Sequence, residues 1–388
     1  MKKILIVNNN MKVGGVQKAL CNLLWEIEGK YDITLLLFKK TGAYIDMLPP
    51  SVKVVEAIGP YSYLGVSQGE CSGIDSLMRG AYALCSRVFG RKKTLRLMKR
   101  CQPALDKKYD CAISFLHNGR AKSFYGGVQD FVLNCVAAER KIAFLHCDYR
   151  NCGANNSENN LDMERFDKIA ACSDGCRKAF LSVLPHLEDR CFAVRNCHRF
   201  DEIRALADDG ALEYDEEYVN VVIVARLSHE KGIERALEAI KYSVECGASV
   251  RLHIIGGGSM QRELTDLAKI MEISDSVFFY GEQSNPYRYM KNADLLLISS
   301  YHEAAPMVID EARSLGVPIL TTETTSSRDM VSDMGCGFVC ENSTAALCEK
   351  LCEVVSDREG LASLKMKLKN LGADNDDAFR QFDDLINK

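Results

Sequence analysis

Short, wholly apolar segments alternate with helical patterns along this chain, and they do so twice; no other feature narrows the fold as much. Lys3–Asn8 reads as a buried strand. Val16–Glu28 follows as a helix, with Val16, Leu20, Leu23, Leu24 and Ile27 on one face. Ile33–Phe38, Val52–Ala57, Cys111–Leu116, Val132–Ala137 and Ile142–Leu145 read as further strands. A strand that is apolar on both faces is covered on both faces, which is the mark of a parallel sheet between helical layers. The pattern restarts at Val219. Val219–Ala225, Val250–Ile255, Val277–Tyr280, Asp294–Ile298 and Pro318–Thr321 read as strands. Ile233–Cys246, Met260–Met271, Pro286–Asn292 and Met307–Leu315 read as the helices between them.

The fold class expected is therefore α/β, with two doubly wound, Rossmann-like domains. The first spans 1–196 and the second 197–371, joined near 195–218 by an acidic stretch. A last helix, about 372–388, is expected to pack back on the first domain. The length of 388 residues fits two such domains. Open parallel sheets bind ligands outside the carboxyl ends of their strands, so the space between two such sheets is where a site is expected.

Charge divides along the same boundary. Residues 1–195 carry a formal +10 and the rest −14, within an overall −4. That balance argues against wholesale nucleic-acid binding. The 17 cysteines are scattered through a long chain, often inside apolar runs. No C-x-x-C pair occurs, so zinc-ribbon and thioredoxin-type spacings are missing, and Cys348 and Cys352, at i, i+4, read as core filler. A reducing, cytoplasmic setting is the simplest reading. No apolar run approaches the ~18 residues of a membrane span.

Two segments carry chemistry. Ala225-Arg226-Leu227-Ser228-His229-Glu230-Lys231-Gly232 directly follows a strand. Its guanidinium and ammonium, at a strand's carboxyl end, suit a polyanion, each charge-assisted contact contributing about 1.5–3 kcal/mol. Tyr301-His302-Glu303-Ala304-Ala305-Pro306-Met307-Val308-Ile309-Asp310-Glu311 follows another strand and opens a helix. Pro306 sits near the first helical position, and the free amides of a helix start form an anion site. Glu303 before the helix and Glu311 within it cannot both face a phosphate. One beside a sugar and one on a ribose diol is coherent; the plainer alternative makes Glu303 a capping acid and Glu311 a solvated helix residue.

Together these motifs resemble the family-4 glycosyltransferases, retaining enzymes of the GT-B fold. Arg226 and Lys231 match the family's G-R-L-x-x-x-K-G element, with Ala225 in place of Gly, and Glu303 and Glu311 match its E-x7-E motif. Gly316-Val317-Pro318-Ile319, Gly14-Gly15-Val16-Gln17, Ala143 to Asp148, Ala171-Cys172-Ser173 and Val194-Arg195-Asn196 match further landmarks in the same order. The resemblance implies that Arg226 and Lys231 bind the donor diphosphate, and that Glu303 contacts the donor sugar and Glu311 the ribose. His146 would help place the sugar, while Gly14 and Gly15 allow backbone to approach. Ala305, Met307 and Val308 would cradle phosphate and sugar with their amides. Gln17, where the family has an acid, stands on the acceptor side, with Asp148, Tyr149 and His117 as weaker acceptor contacts; packing is an equal reading of Tyr149, and a loop histidine before the Asn118-Gly119 turn is the plainer reading of His117.

The resemblance also implies retaining transfer of a hexosyl unit from a nucleotide-sugar, a UDP-sugar on family frequency, to a saccharide or polyprenyl-linked acceptor in surface polysaccharide or glycolipid assembly. No cofactor and no metal are expected. The runner-up reading is a catalytically silent GT-B-like binding or scaffold protein. A remote one, an NAD-dependent oxidoreductase, rests on Gly256-Gly257-Gly258-Ser259-Met260-Gln261, which lacks the third glycine of the dinucleotide fingerprint.

Residues 87–100 hold seven basic side chains and no acid. With Leu84, Val88, Leu95 and Met98 as an apolar stripe, they read as one amphipathic helix on an anionic membrane surface. A solvated basic face is the competing reading. The location expected is cytoplasmic, peripheral at the inner face of the plasma membrane.

Overall fold

A computed structural model describes residues 1–103, 105 and 107–388. It divides into two compact units, Met1–Cys197 with Asn375–Lys388, and His198–Asp374.

The first unit runs Lys3–Asn8 (β1), Gly15–Glu26 (α1), Asp32–Leu37 (β2), Lys53–Glu56 (β3), Gly73–Phe89 (α2), Arg91–Arg100 (α3) and Lys108–Ser114 (β4). Val128–Cys135 (α4), Ala137–Leu145 (β5), Ser157–Met163 (α5), Lys168–Ala171 (β6), Asp174–Leu181 (α6) and Cys191–Ala193 (β7) complete its continuous part. Its seven strands lie in the order β3-β2-β1-β4-β5-β6-β7, all parallel. Residues 4–7 of β1, flanked by β2 and β4, are fully buried, as the unbroken apolar run requires.

The second unit runs Phe200–Asp208 (α7), Val219–Val224 (β8), Ile233–Glu245 (α8), Val250–Ile255 (β9), Gln261–Ile270 (α9), Val277–Gly281 (β10), Tyr287–Met290 (α10) and Leu295–Ile298 (β11). Met307–Ser314 (α11), Ile319–Thr322 (β12), Gly337–Cys340 (β13), Thr344–Ser356 (α12) and Arg358–Leu371 (α13) follow. Its six parallel strands have the order β10-β9-β8-β11-β12-β13. Both sheets therefore reverse their direction of winding once, between β1 and β4 in the first and between β8 and β11 in the second. Such a reversal is where the loops at the carboxyl ends of adjacent strands part and leave room for a ligand.

The final helix, Asp376–Asn387 (α14), belongs to the first unit. Phe382 is fully buried and meets Tyr31 edge-on at 6.3 Å, and Tyr31 donates to Asp383 Oδ1 at 2.5 Å. Three cations hold its last carbonyls: Lys168 on Leu385 O at 2.8 Å, and Arg140 and Lys2 on Ile386 O at 2.9 and 3.3 Å. Positive charge at the carboxyl end of a helix satisfies its unpaired carbonyls and opposes its dipole.

Two sequence expectations are corrected. Val132–Ala137 is not a strand: residues 128–135 form α4, with Val128, Phe131 and Val132 fully buried. A short apolar run cannot separate a buried helix from a buried strand. Residues 87–100 are not one helix either. Gly90, at φ 88°, ends α2 and starts α3. Leu95 and Met98 face the core, whereas Leu84 and Val88 are exposed on α2. Arg91 is buried, paired with Asp130 at 3.0 Å, and Lys92 pairs with Asp130 and Asp162. Part of the basic run is thus structural.

Candidate functional site

In the second unit, the loop after β8 carries Arg226 and Lys231, and the loop after β11 carries Glu303. These strands flank the reversal in the sheet. Lys231 Nζ donates to Glu303 Oε1 at 2.6 Å, and Ser300 Oγ donates to the same oxygen at 2.8 Å. The pair is mostly shielded, with 24% and 12% of the two side chains exposed. Oε2 of Glu303 takes no hydrogen bond from the described residues, and an ammonium offers three donors. Both partners therefore keep capacity for a ligand. Arg226 is oriented differently: 71% exposed, it donates to Glu230 Oε1 at 2.7 Å. The two cations of the motif are thus each matched with an acid, and only Lys231 is tied to the neighbouring loop.

Backbone contacts fix how the loops lie. Tyr301 N donates to Glu230 O at 3.0 Å, and Ser299 Oγ to Lys231 O at 3.0 Å. Gly232, at φ 58°, turns the chain into α8, and a Cβ there would lie 2.3 Å from Ser299 O. A glycine is required for both reasons. Beneath them Arg235, from the first turn of α8, is 1% exposed. It donates to Ser299 O at 3.3 Å and to Asn342 Oδ1 at 2.8 Å, and lies 4.5 Å from the centre of the Tyr301 ring. The sequence around it offers one signal only, its place three residues after Gly232.

Helix α11 begins at Met307, with Pro306 one residue outside it as N-cap and no capping side chain. The amides of Met307 and Val308, at its first two positions, have no acceptor within the helix. Ala305 lies in the loop between Glu303 and this start. Glu311 is 3% exposed, so the reading of it as a solvated helix residue is corrected. Its neighbour Asp310 lies 3.0 Å from Arg313 and 3.4 Å from the His198 ring; burial raises its carboxyl, but contact with His198 and the Arg313 guanidinium outweighs it and holds the group below the ordinary range.

The glycine run 256–258 serves packing. Cβ atoms at Gly256 and Gly258 would lie 1.9 Å from Ala225 O and 2.2 Å from Leu227 O. Leu227 N donates to Gly257 O at 2.9 Å. These glycines let two strand-end loops touch, which removes the reason to read them as a dinucleotide fingerprint.

In the first unit the expected residues also lie at carboxyl ends of strands: Gly14, Gly15 and Gln17 after β1, His117 after β4, and His146, Asp148 and Tyr149 after β5. Gly15 has open space around it, whereas a Cβ at Gly14 would lie 2.6 Å from Gln17 Oε1. Gln17 lies 3.4 Å from Asn9 Oδ1. His146 packs against two aromatic rings that touch each other, 4.6 Å from Phe115 and 5.8 Å from Phe144. Burial pushes its imidazole down to about 3, and that of His117 to about 4, so both are neutral near pH 7. Asp148 accepts from Arg150 and Asn151. Tyr149 is corrected as an acceptor contact: it is 1% exposed, its hydroxyl donates to Asn160 at 2.8 Å and its ring meets Phe180 edge-on at 5.1 Å. It is core.

Residues 207–371 match the family model of the glycosyl transferases group 1. The lipopolysaccharide glucosyltransferase WaaG of Escherichia coli K12 is 32% identical over 109 residues, covering 28% of this chain and 29% of WaaG. The chain spans about a third of the length of the first curated relatives it matches. Among solved structures, a TarM mutant of Staphylococcus aureus in complex with fondaparinux, alpha-GlcNAc-glycerol and UDP superposes with a TM-score of 0.69 at 13% identity, covering all of both chains. Anabaena Alr3699/HepE with UDP-glucose gives 0.69 at 16% identity, covering 99% and 98%. Both likenesses establish the fold, GT-B.

Proposed function

Residues 207–371 place this chain among the group 1 glycosyl transferases, and from that premise we propose that it transfers a hexosyl unit from a UDP-sugar to a hydroxyl of a saccharide or lipid-linked acceptor, with retention at the anomeric carbon. The observation that carries the reading is the Lys231–Glu303 ion pair at the reversal of the second sheet, beside an uncapped helix start. A nucleoside diphosphate needs cations and amide donors, and an activated sugar needs an acceptor for its hydroxyls. Lys231 supplies the first with its two remaining N–H groups, Met307 and Val308 the second, and Oε2 of Glu303 the third. Arg226, exposed beside Glu230, adds charge to the departing diphosphate. Glu311 takes the ribose hydroxyls. UDP and UDP-glucose in complexes of proteins with this fold support the choice of nucleotide.

In the transfer, the bond from the anomeric carbon to the diphosphate oxygen breaks and a bond to the acceptor oxygen forms on the same face. The acceptor's proton passes to the departing diphosphate. Lys231 and the helix amides stabilise the charge growing on that leaving group, which is where preorganised donors lower a barrier most. Glu303 positions the sugar and forms no covalent bond. The Arg226 and Lys231 cations perform the electrostatic task a divalent ion would otherwise have.

The acceptor side of this reading is a bilayer surface. Ile74, Leu77, Met78, Leu84 and Val88 are exposed along α2 at helical spacing, from 41% to 78%. Contiguous apolar surface of this kind marks an interaction site. Next to them Arg87, Lys93, Arg96, Lys99 and Arg100 are exposed, and each basic residue near an anionic membrane contributes about 1 kcal/mol. Cations beside an apolar helix face suit anionic lipid. Among the described residues no helix is long and apolar enough to cross a membrane.

A thermal-shift panel of UDP-, GDP- and ADP-sugars tests the donor. A UDP-sugar is expected to raise the melting temperature, as a ligand of the native state must; a panel without any stabilising nucleotide-sugar would refute the assignment.

A further inference from the structure

One cluster in the first unit takes no part in the proposed transfer. A ring nitrogen of His117 and the sulfurs of Cys147 and Cys152 lie within 4.8 Å of one another. Cys147 is 7% exposed, while Cys152 is exposed on the turn that follows. Their sulfurs are 3.2 Å apart. Nδ1 of His117 is buried and has no hydrogen-bond partner among the described residues, and a buried ring nitrogen left unpaired is costly. From these positions we propose that His117, Cys147 and Cys152 bind a thiophilic d10 cation, Zn²⁺ being the one to test.

The chemistry fits the donor set. Zn²⁺ takes imidazole nitrogen at about 2.0–2.1 Å and thiolate sulfur at about 2.3 Å in a tetrahedron. Ligand atoms in such a site are separated by roughly 3.5–3.8 Å, so the two sulfurs, 3.2 Å apart, part by about 0.5 Å and the imidazole nitrogen closes in by at most about 1 Å. Cys152 has the freedom to do so. The residue is exposed, on a turn anchored through Asn151 N and Cys152 N on Asp148 O at 3.1 and 3.0 Å, while its sulfur points at that of Cys147. Binding releases both thiol protons to solvent and leaves two thiolates, one neutral imidazole and a fourth position for water. The spacing rules for C-x-x-C motifs cannot find such a site, because His117 follows β4 and the cysteines follow β5. The cation would tie together the segments after two neighbouring strands.

The test uses the full chain, reduced and stripped with a chelator, then titrated with Co²⁺ as a spectroscopic stand-in. One equivalent is expected to produce thiolate-to-cobalt charge-transfer absorption that Zn²⁺ abolishes. The band is expected to vanish in Cys147→Ser/Cys152→Ser and to need more than about 10-fold higher metal in His117→Ala. It should persist in Cys246→Ser/Cys352→Ser, which removes the interacting thiol pair of the second unit. Cys152→Ser alone, at an exposed position, keeps the test valid should the double variant misfold. Absence of the band in the reduced wild type, or a band unchanged by Cys152→Ser, would overturn the proposal. So would a Cys147–Cys152 disulfide whose reduction yields no metal uptake.

Discussion

Nζ of Lys231 lies 2.6 Å from Oε1 of Glu303, joining the loop after β8 to the loop after β11. The sheet pairs those strands only through Leu295 with Val221 and Leu296 with Val222, so beyond their ends the loops are held by side chains and a few backbone bonds. The ion pair does two things in the ligand-free chain. It holds the Glu303 carboxylate against the loop after β8, and it keeps Lys231 from extending into solvent. A partly shielded pair of this kind organises the site for an anionic ligand before one arrives, which lowers the ordering cost of binding.

Placing a methyl group at position 258 tests how tightly the strand-end loops are packed. Gly258→Ala brings its Cβ to 2.2 Å from Leu227 O, and backbone must move to relieve it. Thermal unfolding should show a loss of about 1–3 kcal/mol, the usual cost of overpacking. Because Leu227 lies in the loop that carries Arg226 and Lys231, UDP-sugar affinity should fall as well.

Acid should weaken the second unit through His253. Its ring is buried between Tyr280 Oη, 3.0 Å from Nδ1, and Asn220 Oδ1, 3.1 Å from Nε2. Burial pushes this imidazole down to about 4, so between about 6.5 and 4 the unfolded chain binds a proton that the native state refuses. Stability then rises with pH across that window and is lost as pH falls through it. The difference amounts to about 3 kcal/mol. Thermal melts of wild type and His253→Asn at pH 7 and pH 5 check this: the variant should melt lower at pH 7 and show a smaller fall on acidification.

The exposed face of α2 makes a separate prediction. Leu77→Gln/Leu84→Gln should abolish flotation with anionic liposomes while leaving melting temperature and donor binding intact, since both side chains are more than 60% exposed. Wild-type flotation should also weaken as salt screens the neighbouring cations. Flotation unchanged by the double variant would assign binding to other surfaces.

The sequence and the structure agree where a local rule decides. β1 and β9 have the bounds that the unbroken apolar runs indicated, because a strand buried on both faces leaves no room for polar positions. The loops bearing Arg226, Lys231 and Glu303 were legible for a similar reason: each is short and directly follows such a strand. Other features depend on partners far along the chain. Gln129 and Asp130 lie inside α4 and interrupt its apolar pattern. They are buried all the same, because Arg91 and Asn118 bond them. The strands β6 and β7 have only four and three residues and too few apolar positions to show a period. Tyr149 reads in the sequence equally as an acceptor contact and as packing, and only Phe180 and Asn160, brought against it by folding, decide for packing. Arg235 and the His117–Cys147–Cys152 group exist as features only after folding, since no spacing along the chain connects their members.

Calorimetric titration of the stabilising UDP-sugar into wild type and Lys231→Ala tests the central claim most directly. Loss of a charge-assisted contact worth about 1.5–3 kcal/mol should weaken affinity about 10- to 150-fold, with Lys241→Ala, a surface lysine on α8, unchanged. Equal affinity in wild type and Lys231→Ala would contradict the account, because the donor would then be held somewhere other than at the Lys231–Glu303 pair.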